Sequence, residues 1–81
     1  MTEQRIQKKR IDQLEAEGYY VIKLIKTNKN GIPDLIAVHP DGKILFSEIK
    51  KEGEKLSELQ KYRLKELEKK GFKTEVYNGD K

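Results

Sequence analysis

The chain has 81 residues, a length that allows one hydrophobic core and hence one domain, residues 1–81. It contains no cysteine, which excludes disulfides, thiolate catalysis and cysteine-rich zinc modules. Its 18 Lys and Arg against 14 Asp and Glu give a formal net charge of +4, which suits a polyanion such as DNA or RNA, although a solvated lysine-rich surface explains it equally well.

The apolar content of the chain limits the size of its core and indicates where in the cell it is expected. Hydrophobic residues make up 35% of the chain, so a small core would gain stability from a partner subunit or a ligand, and we expect an oligomer. The sequence shows no signal peptide and no run of about twenty apolar residues. We therefore expect a cytoplasmic protein without a membrane partner.

The N-terminal part of the chain predicts a helix and then a strand. Thr2 fits the N-cap of a helix that ends near Glu17, with Gly18 as the C′ residue. Residues 19–26 are rich in β-branched and aromatic side chains and predict the strand, which a polar loop over residues 27–31 follows.

The middle of the chain predicts a β-hairpin. Residues 33–39 and 43–50 have the composition of strands, and they flank Pro40, Asp41 and Gly42, which are typical of a tight turn. The two strands should therefore pair antiparallel.

The C-terminal part predicts a second helix and a last strand. Ser57 and Gln60 match a capping box for a helix that reaches about Lys70 and ends at Gly71, and residues 72–77 follow as a strand. The order αβββαβ predicts an α/β fold with helices packed on a small mixed sheet, although a single sequence leaves the strand order open.

The hairpin turn sets which side chains face each other. A three-residue loop pairs His39 with Lys43, and therefore Asp34 with Glu48, so that two carboxylates lie side by side. Lys50 shares their face because side chains alternate along a strand. The alternative is a two-residue turn, which shifts the register and places the two carboxylates on opposite faces as ordinary edge charges.

Paired carboxylates predict a bound cation, because opposed like charges destabilise a sheet unless something neutralises them. Oxygen ligands, no cysteine and one histidine favour Mg²⁺ or Mn²⁺ over zinc. Asp34 and Glu48 would be direct ligands, with the Ile49 carbonyl between them. Such an ion orients a phosphate, stabilises transition-state charge and activates water, and Lys50 would lie beside that water.

Both helices place a polar side chain among apolar ones. Glu3 shares a face with the isoleucines and leucine of the first helix. It is either a solvated first-turn acid that favours the helix dipole or a group directed at the hairpin, where it would orient water or help bind metal. Gln60 faces inward on the second helix, so it could contact the site as well as close the capping box.

These features together resemble the PD-(D/E)XK nuclease signature and, more narrowly, the VRR-NUC domain, the virus-type replication-repair nuclease. Each motif alone arises easily in a sequence rich in Lys and Glu, but order, spacing and element type together are specific. The residues that carry the resemblance are Glu3, Gly31-Ile32-Pro33-Asp34, Glu48-Ile49-Lys50 and Gln60.

The resemblance implies a minimal restriction-endonuclease-like core and metal-dependent hydrolysis of phosphodiester bonds. It implies Asp34, Glu48 and Lys50 as central residues, with Glu3 and Gln60 assisting. Stand-alone relatives imply a phage-type homodimer in the host cytoplasm that acts on branched DNA such as four-way junctions. Two alternatives stay open: a catalytically silent nucleic-acid-binding or dimerisation module with this fold, and an unrelated basic partner-binding protein, which requires the other hairpin register.

Several basic residues are candidates for holding DNA phosphates beside the site. Such contacts give affinity without reading base sequence, and plain solvation of the lysines is the alternative. The candidates are Lys8, Lys9, Arg10, Lys26, Lys29, Lys51 and Lys55.

Overall fold

The computed structural model describes residues 1–80. Four strands form one mixed sheet in the order β1-β2-β3-β4, antiparallel from β1 to β3 and parallel between β3 and β4. The predicted α/β class and αβββαβ order are therefore confirmed. The elements are α1 (Glu3–Ala16), β1 (Tyr20–Lys23), β2 (Leu35–Val38), β3 (Ile44–Ile49), α2 (Glu58–Lys69) and β4 (Lys73–Tyr77).

Both helices begin at the predicted caps. The Thr2 hydroxyl accepts a hydrogen bond from the Arg5 N–H at 3.2 Å, which satisfies one of the free donors at the start of α1. Ser57 and Gln60 form the predicted capping box at the start of α2. α1 ends just before Gly18, whose φ of 95° lies in the left-handed region that glycine adopts without strain.

The hairpin has the predicted three-residue loop. The His39 N–H donates to the Lys43 carbonyl at 2.9 Å, and Leu35 is paired with Ser47. Gly42 has a φ of 96°, as the last position of this turn requires. The alternative two-residue turn is excluded, so Asp34, one residue before Leu35, lies opposite the residue after Ser47.

The hydrophobic core lies between α1 and one face of the sheet. Ile6 from α1 packs against Leu35, Ile49 and Tyr77, each 4% exposed or less. Burying an aliphatic or aromatic side chain of this kind contributes about 1.5–3 kcal/mol. This contact fixes the position of α1 on the sheet. Within residues 1–80, neither helix is long and apolar enough to span a bilayer.

α2 lies on the opposite face of the sheet. Leu64 is its buried residue, and Gln60 on α2 contacts Glu48, which alternates with Ile49 along β3. The ring of Phe46 meets that of Phe72 edge-on, with centroids 5.7 Å apart. The two faces of the hairpin are therefore covered by different helices.

A half-buried ion-pair network joins α1 to the sheet. The Arg10 guanidinium donates two hydrogen bonds to the Glu75 carboxylate, both at 2.7 Å, and lies 5.1 Å from the centre of the Tyr77 ring. The Ser47 hydroxyl donates to the same carboxylate at 2.6 Å. The prediction that Arg10 holds DNA phosphate is therefore wrong, because its guanidinium is occupied within the fold.

Candidate active site

The Pro33-Asp34 pair explains how β2 ends at the site. Continuing the observed register places Pro33 opposite Ile49, and proline has no N–H to donate to the Ile49 carbonyl. The Ile49 N–H donates instead to the Asp34 side chain, at 2.8 Å from Oδ2. The proline therefore removes a ladder hydrogen bond from the Ile49 carbonyl, and the aspartate side chain is held against β3.

Glu48 is the most unusual polar residue of the fold. It is 2% exposed, and its Oε1 has no hydrogen-bond partner among the described residues. Burial, together with the adjacent Asp34 carboxyl, raises the pKa of Glu48 to about 8, although the charge of Lys50 opposes the shift. A carboxyl buried without a direct counter-charge is costly, and a cation between Asp34 and Glu48 would compensate it.

Gln60 connects the start of α2 to the site. Its side-chain oxygen accepts from the Ser57 N–H at 2.9 Å, and its side-chain nitrogen donates to Glu48 Oε2 at 3.4 Å. The cap thus fixes which end of the amide points to Glu48. Gln60 lies where the sequence predicted, with both its local and its site contact present.

Glu3 lies at the rim of the site and is exposed. A hydrogen bond with Glu54 is the main cause that raises the pKa of Glu3, while the charge of Lys50 lowers it and that of Asp34 raises it. The N-terminus of α1 is therefore close to the hairpin carboxylates. Among its neighbours, Glu54 has the largest influence on the pKa of Glu3.

Glu54 is a site neighbour that sequence reasoning missed. Its carboxylate accepts from the Lys51 N–H at 2.7 Å in a turn that contains Gly53, with a φ of 86°. The turn places Glu54 next to Glu3 and near Lys50. Glycine after a strand was the only sequence signal for it, and that signal does not specify the direction in which the loop returns.

The loop before Asp34 is docked on α2. The Arg63 side chain donates to the Asn30 carbonyl at 2.9 Å. Gly31 has a φ of 78°, and a Cβ at this position would lie 2.7 Å from Cγ of Leu59. Glycine is therefore needed here both for the backbone conformation and for the close approach of α2.

The donor set fits a hard divalent cation. No group of three or more His, Cys, Asp and Glu side chains within residues 1–80 is arranged to hold a metal ion by itself. Asp34 and Glu48 nevertheless supply carboxylate oxygens, one of which has no partner within residues 1–80, and Pro33 gives the Ile49 carbonyl no N–H donor. Mg²⁺ commonly uses one or two carboxylates and retains several waters, so these three residues fit it.

Comparisons with known proteins agree with this architecture. The profile of the VRR-NUC domain family matches residues 2–81. A solved structure described as a VRR_NUC domain is similar to this chain with a TM-score of 0.83 and 35% sequence identity, over 91% of this chain and 81% of that one. A search of curated proteins found no match. Because the profile spans nearly the whole sequence, the chain belongs to the VRR-NUC family of nuclease domains.

Proposed function

We propose that this protein is an Mg²⁺- or Mn²⁺-dependent endonuclease that hydrolyses phosphodiester bonds in DNA, with selectivity for branched structures such as four-way junctions. The observation that carries the proposal is the Glu48 carboxyl, which is buried beside Asp34 with one oxygen lacking any partner among the described residues. A fold retains an uncompensated buried carboxyl at a cost in stability, and a bound cation at a catalytic site explains that cost.

The metal site would consist of Asp34, Glu48 and the Ile49 carbonyl. A bound divalent ion supplies charge stabilisation for the phosphate and lowers the pKa of a bound water. Gln60 holds the Glu48 carboxylate in one orientation through the α2 cap. The Asp34 side chain is fixed in turn by the Ile49 N–H, so both carboxylates are positioned before an ion arrives.

Lys50 and Glu3 act on the water and the phosphate. Lys50 is close enough for its charge to lower the pKa of both Glu48 and Glu3. Its ammonium group would hold the attacking water and stabilise negative charge on the phosphate. Glu3, at the rim with Glu54, would orient that water or help to hold a second ion.

DNA would be held by lysines that have no ion pair with any described residue. Lys26 and Lys29 lie in the loop that precedes Asp34, and Lys51 and Lys55 follow Lys50, so the two groups flank the site. Each phosphate contact adds affinity that decreases with salt concentration.

Two of the other candidate lysines are already engaged within the fold. Lys8 forms an ion pair with Asp12, and Lys9 donates to the Gly79 carbonyl at 2.7 Å. They lie on α1 together with Arg10, which the Glu75 ion pair occupies. The surface proposed to bind DNA therefore consists of the loops that carry Lys26, Lys29, Lys51 and Lys55, and it excludes the outer face of α1.

A homodimer would present two such sites to the two strands that a junction resolvase cuts. α2 offers an apolar surface for it, because Tyr62 is 58% exposed and Leu59 is 41% exposed. Exposed aromatic and aliphatic side chains on one helix are the kind of surface that a second subunit covers.

The proposal is tested by cleavage of labelled linear duplex, flap and four-way-junction DNA in Mg²⁺, Mn²⁺ or EDTA. We expect metal-dependent cutting, fastest on the junction, and a loss of about a thousandfold or more in Glu48→Gln. The Tyr20→Ala variant, at an exposed position of β1 that pairs with Val38 near the hairpin turn, is the control and should cut normally. Binding of every substrate with no cleavage in either metal would instead identify a silent DNA-binding module.

A further inference from the structure

The segment that leads into the site is free of acidic residues. Between Glu17 and Asp34 the chain contains no Asp or Glu, although the whole chain has 14 of them. The same segment contains three lysines, Lys23, Lys26 and Lys29. Its unbalanced positive charge therefore ends directly at a proposed metal ligand.

The β1–β2 loop, residues 24–34, is held in place at three points. The Leu24 N–H donates to the Asp34 carbonyl at 2.8 Å, and the Thr27 hydroxyl donates to the Lys29 carbonyl at 2.6 Å. Arg63 on α2 binds the Asn30 carbonyl, and Gly31 allows α2 to pack closely against the loop. Between these points the loop borders an open depression of about 340 Å³, large enough to admit a nucleobase.

Ile25 projects from this loop into solvent. It is 87% exposed, the highest value among the exposed large hydrophobic side chains of residues 1–80. It follows Leu24, which is hydrogen-bonded to the Asp34 backbone. An isoleucine held in water, between lysines and one residue from the backbone contact with Asp34, is placed to contact a ligand that is both apolar and anionic.

We propose that Ile25 is a wedge that inserts between unstacked bases of branched DNA, while Lys26 and Lys29 hold the flanking phosphates. This role rests on the proposed nuclease function, and it would explain how the same site selects DNA whose base pairing is interrupted. Apolar side chains that enter DNA between base steps partly unstack them, at least cost where pairing is already interrupted.

Charge distinguishes DNA from a second copy of the chain as the occupant of this surface. Two copies that met through residues 18–33 would bring the lysines of both segments together with no acidic side chain from either segment to neutralise them. DNA supplies phosphates for the lysines and base faces for Ile25. The combination of charge and apolar exposure therefore favours nucleic acid.

The position of Ile25 also sets where the cut should fall. Ile25 follows Leu24, which is hydrogen-bonded to Asp34, so the backbones of Ile25 and Asp34 lie within about 9 Å, or fewer than about three nucleotide steps of roughly 3.4 Å. We expect cleavage within about three nucleotides of the unstacked step. Shifting the branch point by a few nucleotides in a synthetic junction should move the cut by the same distance.

The test measures base unstacking without catalysis. A fluorescent purine analogue is placed at the branch of a four-way junction, and Glu48→Gln protein is titrated in EDTA at low salt. We expect a rise in fluorescence on binding, and a reduction of that rise by about fivefold when Ile25→Ala is added. The Tyr20→Ala change, which removes an exposed large hydrophobic side chain from β1, should leave the rise intact.

Several results would overturn the wedge. An unchanged fluorescence rise in the Ile25→Ala protein at saturating binding is one, and no rise with Glu48→Gln protein that binds the junction is another. A third is a change from dimer to monomer caused by Ile25→Ala in sedimentation without DNA, which would assign the side chain to a protein interface. Because unstacking is measured without cleavage, an inactive wild type leaves the wedge testable, and a failed wedge leaves the nuclease proposal standing.

Discussion

Two carboxylates are withdrawn from water on opposite faces of the same sheet, and only one is compensated. Glu75 on the α1 face accepts two hydrogen bonds from Arg10 and one from Ser47. Glu48 on the α2 face is more deeply buried, yet its Oε1 has no partner among the described residues. Folding alone accounts for the first arrangement, whereas the second supports the proposal of a bound metal ion.

The different surroundings of the two residues also indicate different roles for their neighbours. The Arg10 guanidinium neutralises the Glu75 carboxylate directly, so this carboxylate needs no further cation. Lys50 influences Glu48 only through its charge, with no ion pair to it among the described residues. The role proposed for Lys50 needs that freedom, because its ammonium group would have to reach water or phosphate.

The largest effect is expected from Lys50→Ala. Turnover should fall by about a thousandfold, since the group proposed to hold the attacking water is lost, while Mn²⁺ affinity measured by calorimetry should change by less than about threefold. Lys51→Ala, which removes the adjacent lysine, is the control and should mainly weaken DNA binding. A fully active Lys50→Ala protein would remove Lys50 from the mechanism.

A smaller effect is expected when the stability of the metal-free protein is followed against pH. The folded-state pKa of Glu48, about 8, lies above the ordinary glutamate value of 4.5, so its favourable contribution is complete below pH 4.5 and is lost as pH rises towards 8. Relative to Glu48→Gln, the wild type should lose about 3 kcal/mol of unfolding free energy between pH 4.5 and 7.

Urea unfolding of both proteins in EDTA measures this difference. Mg²⁺ or Mn²⁺ should restore stability to the wild type at pH 8 and have no effect on Glu48→Gln, because ligands that bind only the native state stabilise it. If the unfolding free energies of the two proteins changed in parallel with pH, the Glu48 carboxyl would already be compensated within the fold.

The smallest effect is expected from Glu75→Gln. Removing one charge of the Arg10–Glu75 pair leaves Arg10 half-buried without its counter-ion, and we expect a loss of about 2 kcal/mol of unfolding free energy at pH 7. Glu48→Gln should change stability in the opposite direction under the same conditions. If both substitutions destabilised the protein equally in EDTA, the contrast between the two carboxylates would be wrong.

Local chemistry accounts for most of what sequence reasoning predicted. Caps at Thr2 and Ser57, and the three-residue turn ending at Gly42, act over a few residues, so their patterns specify geometry without knowledge of the rest of the fold. The turn then sets the strand register, and the register alone places Asp34 beside Glu48. The proposed metal pair was therefore predictable from the sequence.

Contacts between distant elements were decided only by the tertiary structure. The Arg10–Glu75 pair depends on how α1 docks against β4, and Glu54 reaches Glu3 only because a loop returns to the helix start. The sequence predicted that Ile25 belongs to a strand over residues 19–26, whereas β1 ends at Lys23 and leaves Ile25 exposed in the following loop. The physical reason is range: turn and cap chemistry acts within a few residues, whereas packing and charge pairing depend on which surfaces meet in three dimensions.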